Sequence, residues 1–185
     1  SLGYYNLLEA VQFYYATTFT LEEVWKFING VRADYRNYYL VRFFTGMRTS
    51  EIDGLTWDNV DFNRREIVIK QALVKGKIVP PKTQESYRAI QMSPWVYEAL
   101  KEQQEISYRR SDYVFCSHTG EPLDYNNVNK RIWHPTLKVL RLKKRNAYQT
   151  RHTAATLWLA AGESPEWIAS QMGHSTTKML FNTYS

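Results

Sequence analysis

The 185-residue chain is 44% hydrophobic and 15% aromatic, with a formal net charge of +6; this composition excludes a disordered polyelectrolyte and suits one domain with a real core. No stretch approaches the roughly 20 apolar residues of a membrane span, and Ser1-Leu2-Gly3-Tyr4 lacks the charged and apolar regions of a signal peptide, so a cytosolic protein is expected. The one cysteine, Cys116, excludes an internal disulfide and a cysteine-rich zinc site, fits a reducing compartment, and reads as a small loop or strand residue.

Charge is unevenly distributed. Between Tyr125 and Gly162 stand Lys130, Arg131, Lys138, Arg141, Lys143, Lys144, Arg145 and Arg151, with no Asp or Glu. Such segregation predicts a positive face whose commonest target is nucleic-acid phosphate, the alternative being a merely solvated basic surface.

In chain order, residues 1–19 are rich in tyrosine; Leu7, Leu8, Val11, Tyr14 and Tyr15 can form a helix stripe, but nothing caps it. Thr20-Leu21-Glu22-Glu23 has capping-box spacing and predicts a helix from Leu21 to Asn29, closed by Gly30. A second helix, from about Ala33 to Thr45, is aromatic all round and is expected to cross the core, ending at Gly46.

Thr49 can then cap a short helix that carries Ile52 and Leu55 inward. Arg48 sits at that cap, where a cation opposes the helix dipole. A phosphate meeting the same free amides would remove the conflict, whereas an ion pair from Arg48 to Glu51 is the plainer reading.

From Trp57 a polar turn leads into alternating sequence at Glu66 to Gln71, at Leu73-Val74 and Ile78-Val79 around Lys75-Gly76-Lys77, and at Tyr87 to Met92. A three-stranded antiparallel sheet is expected. Its last two strands are joined by the exposed tip Pro80 to Ser86, from which Lys82 can reach a ligand or merely protect an edge.

Ser93-Pro94 starts a helix with Val96, Leu100 and Ile106 inward. Tyr113-Val114-Phe115 reads as a short strand, followed by a turn-rich loop. Asp124 caps a helix that Pro135 interrupts before it resumes toward Leu142. His118 and His134 fall in loops and joints, and no His, Asp or Glu grouping has metal-ligand spacing, so no bound metal is expected. A helix from about Thr150 to Ala161 buries Ala154, Leu157 and Trp158 and ends at Gly162. Ser164-Pro165 opens the next, Glu166 to Met172. Gly173 ends it, His174 lies just beyond, and Tyr184 follows about two and a half turns into a short last helix.

The ingredients suit phosphodiester chemistry. A free phenol has a pKa near ~10, so Tyr184 as a nucleophile needs a group to activate it or accept its proton, and His174 can do either. Two guanidiniums, Arg48 and Arg151, suit the negative charge spread over the non-bridging oxygens. Lys82 can deliver a proton to the departing 5′ oxygen. Of the basic run, Lys138, Arg141, Lys143, Lys144 and Arg145 are the candidates for DNA phosphate contact.

These residues resemble the tyrosine recombinase family, of the phage-integrase type, from about Thr20 to Tyr184. Thr45-Gly46-Met47-Arg48-Thr49-Ser50-Glu51-Ile52 is similar to its first arginine box, Pro81-Lys82-Thr83 to its lysine hairpin, and Arg151-His152-Thr153-Ala154-Ala155-Thr156 to its second arginine box. Met172-Gly173-His174 with Tyr184 is similar to its last. The resemblance implies an α+β catalytic domain, mainly helical with a small antiparallel sheet. It also implies site-specific integration and excision of a mobile element by cleavage and rejoining of double-stranded DNA. The link is a 3′-phosphotyrosyl bond, formed without metal or nucleotide, in the bacterial cytoplasm or nucleoid.

One departure is chemical. The family's second box usually reads His-x-x-Arg, where this chain has Tyr148-Gln149-Thr150-Arg151. A phenol does not titrate near neutrality as imidazole does, so Tyr148 is expected to donate a hydrogen bond to a phosphate oxygen instead of shuttling a proton. The family's preceding DNA-clamping domain is not seen in this sequence, and the chain stops one residue after Tyr184. A single catalytic domain over residues 1–185 is therefore expected, monomeric by itself and tetrameric on DNA as part of the full-length protein. Two other readings compete. Pro165 to Thr177 resembles a helix-turn-helix signature and would suit a non-catalytic DNA-binding module, and a type IB topoisomerase shares much of the same chemistry.

Overall fold

The computed structural model describes residues 17–182; the candidate stripe at Leu7 to Tyr15 and the candidate nucleophile Tyr184 lie outside them. The described residues form a mainly helical body with two small antiparallel sheets.

Helix α1 (Leu21–Gly30) begins with the expected capping box, the Glu23 amide donating to Thr20 Oγ1 and the Thr20 amide to Glu23 Oε2. Gly30 is the last helical residue rather than a left-handed cap. A Cβ there would come within 2.6 Å of the Leu140 side chain, so close packing is what calls for glycine.

A 3₁₀ turn (Ala33–Tyr35) leads into α2 (Arg36–Thr45), which crosses the core as expected and buries Tyr38 to Phe43 as well as Asn37 and Thr45. Trp133, wholly buried, gathers Phe19, Phe27, Tyr39 and Phe43 at centroid distances of 4.8–6.3 Å. Its indole N–H donates to the Arg145 carbonyl, so the largest core side chain leaves no polar atom unpaired.

Gly46 (φ +64) turns the chain into α3 (Thr49–Asp53). The residue at the cap position is Arg48, and the Glu51 carboxylate accepts its backbone N–H. Thr49 is thus already helical. Its hydroxyl receives Arg42 Nη2 at 2.8 Å instead of capping. Ile52 and Leu55 face inward as expected.

The β region differs from the expected single sheet. Strands β1 (Val60–Asp61), β2 (Glu66–Ile69) and β5 (Arg88–Gln91) make the three-stranded sheet in the order β1-β2-β5, with Ile67 opposite Ile90. Strands β3 (Ala72–Val74) and β4 (Lys77–Val79) pair only with each other. This hairpin packs on α3, and a Cβ on Gly54 would meet the Leu73 amide at 2.7 Å. That close approach holds the hairpin away from the other sheet.

Helix α4 (Pro94–Ser107) starts on the Ser93 cap. Val96 and Leu100 are buried, but Ile106 is exposed and the inward positions go to Gln103 and Ser107. Both donate to the Val114 carbonyl. That carbonyl needs partners because residues 113–115 form no strand, Tyr113 making only a single bridge to Thr56.

Asp124 caps α5 (Tyr125–Val128), which runs through a π turn (Asn129–Trp133) into α6 (His134–Val139). Pro135 therefore interrupts nothing. Its missing N–H is absorbed where the hydrogen bonding widens, the His134 amide reaching back to Asn129, and the Thr136 hydroxyl donates to the Ile132 carbonyl. The helix ends at Val139, short of Leu142, and Arg141 follows in the left-handed region.

Helix α7 (Gln149–Ala160) buries every residue from Thr150 to Thr156, whereas Leu157 and Trp158 are half-buried. Leu157 packs on the main core, whereas Trp158 belongs to a second apolar cluster with Ile168, Met172 and Leu180 from α8 (Pro165–Met172) and α9 (Thr177–Asn182). The left-handed Gly173 ends α8.

Candidate active site

Four segments far apart in sequence meet at one place: the Gly46–Glu51 turn, the start of β5, the first turns of α7 and the end of α8. Arg151, wholly inside, joins two of them to its own helix. Its Nη1 donates to the Gly46 carbonyl at 2.7 Å and its Nη2 to the Met172 carbonyl at 2.5 Å, with His174 Nε2 at 3.3 Å. Burial first, and then the neighbouring Arg48 charge, press its pKa down to about 10, so it stays a cation at neutral pH.

Arg48 reaches the same place from the cap of α3. Its Nη1 lies 2.9 Å from Glu51 Oε1, and its side chain keeps about 30% exposure. The plainer expectation, an Arg48–Glu51 pair, is therefore met, yet part of the guanidinium remains open to the cleft. Glu51 itself is buried. Burial alone would push its carboxyl up, but the hydrogen bonds and charge of Arg88, with the charges of Arg48 and Arg151, hold it at about 2. A permanent anion in this position fixes where Arg48 can point.

His174 follows the turn at Gly173. Its pKa is lowered to about 4 by burial and then by the charges of Arg151, Arg48 and Arg88, and its Nδ1 is buried without a hydrogen-bond partner. A guanidinium only donates, so the nitrogen facing Arg151 carries the lone pair. Tyr148, half-exposed at the start of α7, lies edge-on to His152 at 5.1 Å and lines a cleft with Arg48, Asp53 and the β3–β4 tip. His152 is likewise depressed to about 4, by burial and then Arg151.

The structure thus brings Arg48, Arg151 and His174 together and places Tyr148 at the rim of the adjoining cleft. Lys82 is exposed on the connection between β4 and β5, with no hydrogen bond or ion pair to any of them. Lys138, Arg141, Lys143 and Lys144 are exposed along one stretch. Arg145 departs from that set. Its guanidinium stacks over Phe19 at 4.2 Å, pairs with Glu23 at 3.0 Å and donates to the carbonyls of Thr17 and Thr18. Facing inward beside the capping box of α1, it cannot serve DNA without breaking these bonds.

Arg88 and Gln171 carried no signal in the sequence, yet both hold the site. Arg88 grips Glu51 with both terminal nitrogens at 3.0 Å, and the Gln171 side chain accepts the Gln91 amide. Arg88 sits in an alternating strand and looks like an edge cation; only its partners, 37 and 83 residues away, reveal it. The stretch resembling a helix-turn-helix does form a helix, a glycine turn and a second helix, but the turn delivers His174 to Arg151 and Gln171 to the sheet. Among the described residues no group of three or more His, Cys, Asp or Glu side chains could hold a metal, and no helix is long and apolar enough to cross a membrane.

A mainly helical domain with small antiparallel sheets is the fold of tyrosine recombinase catalytic domains. The model of the phage integrase family matches residues 16–185, and the chain belongs to that family. Among curated relatives, it is 29% identical to prophage integrase IntR of Escherichia coli K12, over 80% of this chain and 42% of that protein. It is 25% identical to a XerC-like tyrosine recombinase of Caldanaerobacter subterraneus subsp. tengcongensis, over 91% of this chain and 50% of that one. The chain spans about half the length of these relatives. Among solved structures, its fold matches the Tn1549 transposon integrase in complex with circular intermediate DNA. That match has a TM-score of 0.81 and 24% identity, over 91% of this chain and 62% of the other. XerA recombinase matches with a TM-score of 0.75 and 19% identity, over 91% and 61%.

Proposed function

We propose that this chain is the DNA-cleaving and rejoining part of a site-specific recombinase that integrates and excises a mobile element. The observation that carries the reading is Arg151, a buried cation placed by the Gly46 and Met172 carbonyls between the Arg48 turn and His174. A buried guanidinium cluster with more cations than anions calls for a phosphate, and membership of the phage integrase family says which reaction uses it.

In this reading Arg48 and Arg151 clamp the non-bridging oxygens of one DNA phosphate, and Tyr148 donates a further hydrogen bond. The Tyr184 phenol attacks phosphorus, the bond to the 5′ oxygen breaks, and Lys82 gives that oxygen its proton. His174 is neutral in the free protein, so its lone pair is available for the phenol proton once phosphate claims the Arg151 guanidinium. A second strand's 5′ hydroxyl reverses the step. Exchanging one phosphodiester for another is near neutral in energy, so no nucleotide is consumed. Lys138, Arg141, Lys143 and Lys144 track the backbone of double-stranded DNA. The full-length protein works as a tetramer on DNA, in the bacterial cytoplasm or nucleoid, and this domain by itself is a monomer.

The test is covalent capture. The protein is incubated with a pool of nicked duplexes of random sequence, and adducts that survive detergent are isolated and sequenced. An adduct through the 3′ phosphate, present in the native protein and lost in Tyr184→Phe, is expected. A DNA-binding module would give none, and a topoisomerase would also relax supercoiled DNA without a matched site.

A further inference from the structure

Arg88 opens β5 and has no part in the chemistry above. Its side chain is only 6% exposed, and all three of its nitrogens are in use. Nε donates to the Gln171 carbonyl at 2.6 Å, Nη1 to the Ser86 carbonyl at 2.9 Å and to Glu51 Oε1 at 3.0 Å, and Nη2 to Glu51 Oε2 at 3.0 Å. These partners lie on three segments, each carrying a different reacting group. Glu51 holds Arg48. Ser86 closes the connection that bears Lys82, where the Thr83 and Ser86 hydroxyls also bond at 3.0 Å. Gln171 precedes Met172, whose carbonyl receives Arg151, and His174 is three residues on.

The packing around Arg88 is as specific as its bonding. A Cβ on Gly173 would lie 2.9 Å from Arg88 Nη1, at a backbone φ of +68 that already favours glycine. The turn that presents His174 is thus shaped around the Arg88 head group. Neutralising Glu51 would need only one positive charge, which a lysine supplies. Fixing the directions of three separate acceptors needs the planar fork of a guanidinium.

We propose that Arg88 is a positioning residue for phosphoryl transfer, one buried guanidinium setting the Lys82 connection and the His174 turn relative to Arg48. The inference rests on the recombinase reading, with Lys82 as donor to the leaving oxygen. Without Arg88, the clamp and the proton donor no longer meet one phosphate, even where DNA still binds.

The experiment compares Arg88→Lys, Arg88→Met, Gly173→Ala and Lys82→Ala in the complete protein, with two readouts. The first is amide hydrogen exchange without DNA. The Arg88 variants are expected to exchange about tenfold faster at residues 83–87 and 172–175 while α4 is unaltered, a local opening of the kind native proteins show. Unchanged exchange in both Arg88 variants overturns the proposal, whatever the role of Lys82.

The second readout is single-turnover cleavage of a duplex recovered by covalent capture, made with either oxygen or sulfur at the scissile 5′ position. A thiolate leaves without being protonated, its conjugate acid having a pKa near ~8.5 against far higher values for an alcohol. Lys82→Ala is expected to lose about 10²-fold or more on oxygen and to recover on sulfur. Arg88→Lys, Arg88→Met and Gly173→Ala should lose more on oxygen than on sulfur, the loss that sulfur does not restore being that of the His174 turn, with duplex affinity within about threefold of native. Recovery of Lys82→Ala together with equal losses on both substrates for the Arg88 variants overturns the proposal. If Lys82→Ala does not recover, the proton-donor reading fails instead; Arg88 is then decided by the exchange readout and by whether Arg88→Lys slows cleavage at unchanged affinity. Should Arg88→Met fail to fold, Arg88→Lys, which keeps the charge, carries both comparisons.

Discussion

The guanidinium of Arg151 donates to the carbonyl of Gly46, 105 residues earlier, at 2.7 Å. One side chain therefore anchors the turn that presents Arg48, while its other arm anchors the carbonyl before Gly173. Arg151→Lys keeps the charge but cannot reach both carbonyls. It should cost about 1–3 kcal/mol of folding free energy in urea titrations and about 10²-fold in cleavage rate. A variant of native stability and rate would refute the double anchoring.

Tyr148 lines the cleft beside Arg48 and stays exposed. Removing its hydroxyl in Tyr148→Phe should slow single-turnover cleavage about tenfold, the worth of one hydrogen bond to a charged group. The pH profile should keep its shape, because the hydroxyl donates a hydrogen bond and shuttles no proton. Full cleavage rate in the variant would remove Tyr148 from the site.

His174 has a folded pKa of about 4 against an ordinary 6.5. The unfolded chain therefore binds the extra proton first: the group's contribution to stability is fully present above pH 6.5 and lost as pH falls toward 4. A phosphate bound beside the ring adds negative charge and favours the imidazolium, so its pKa should rise when nicked duplex binds. Histidine NMR titration with and without duplex reads this directly, and a pKa that stays put would contradict contact between His174 and the phosphate.

Asp53 has the opposite sign. Its carboxyl is buried, receives the Tyr38 hydroxyl at 2.7 Å, and is raised to about 6, chiefly by desolvation. Its contribution to stability is fully present below pH 3.8 and is lost as pH rises through 6. Asp53→Asn can still accept from Tyr38 without ionising. It should stabilise the protein by roughly 2 kcal/mol at pH 7.5 and hardly at all at pH 3.5, as thermal melts at the two pH values would show.

Lys143 and Lys144 are exposed beside the inward-facing Arg145. Lys143→Ala and Lys144→Ala should each lower the slope of log affinity against log salt by about 0.9 and leave melting unchanged. Arg145→Ala should do the reverse, leaving the slope alone and lowering the melting temperature as Glu23 and Phe19 lose their partner. Equal slopes in all three variants would detach this stretch from DNA.

Local features were legible in the sequence because their causes are local. The caps at Thr20, Ser93, Asp124 and Ser164 each accept from an amide three residues ahead, and all four start helices as expected. Arg48, Arg151 and His174 were legible as a group from short boxes, and the structure brings them together. Features set by long-range partners were not. Arg145 sits in a basic run, and partners 122 to 128 residues away, Glu23 and the Thr17 and Thr18 carbonyls, turn it inward. The phase of α4 was misread at Ile106 because an irregular Val114 carbonyl drew Gln103 and Ser107 inside instead. The β3–β4 hairpin alternates like the other strands, and nothing in that alternation says that Gly54 admits its backbone onto α3.

Arg48, Arg88 and Arg151 surround the one carboxylate of Glu51 in a space largely closed to water. The cluster therefore carries two more positive charges than negative ones, an imbalance that the phosphate of the proposed function would redress. Any polyanion that enters should raise the melting temperature in proportion to how tightly it binds. If DNA is the polyanion, as proposed, molecules released from it would be the first that proteolysis removes, and the lifetime of the protein would follow its occupancy.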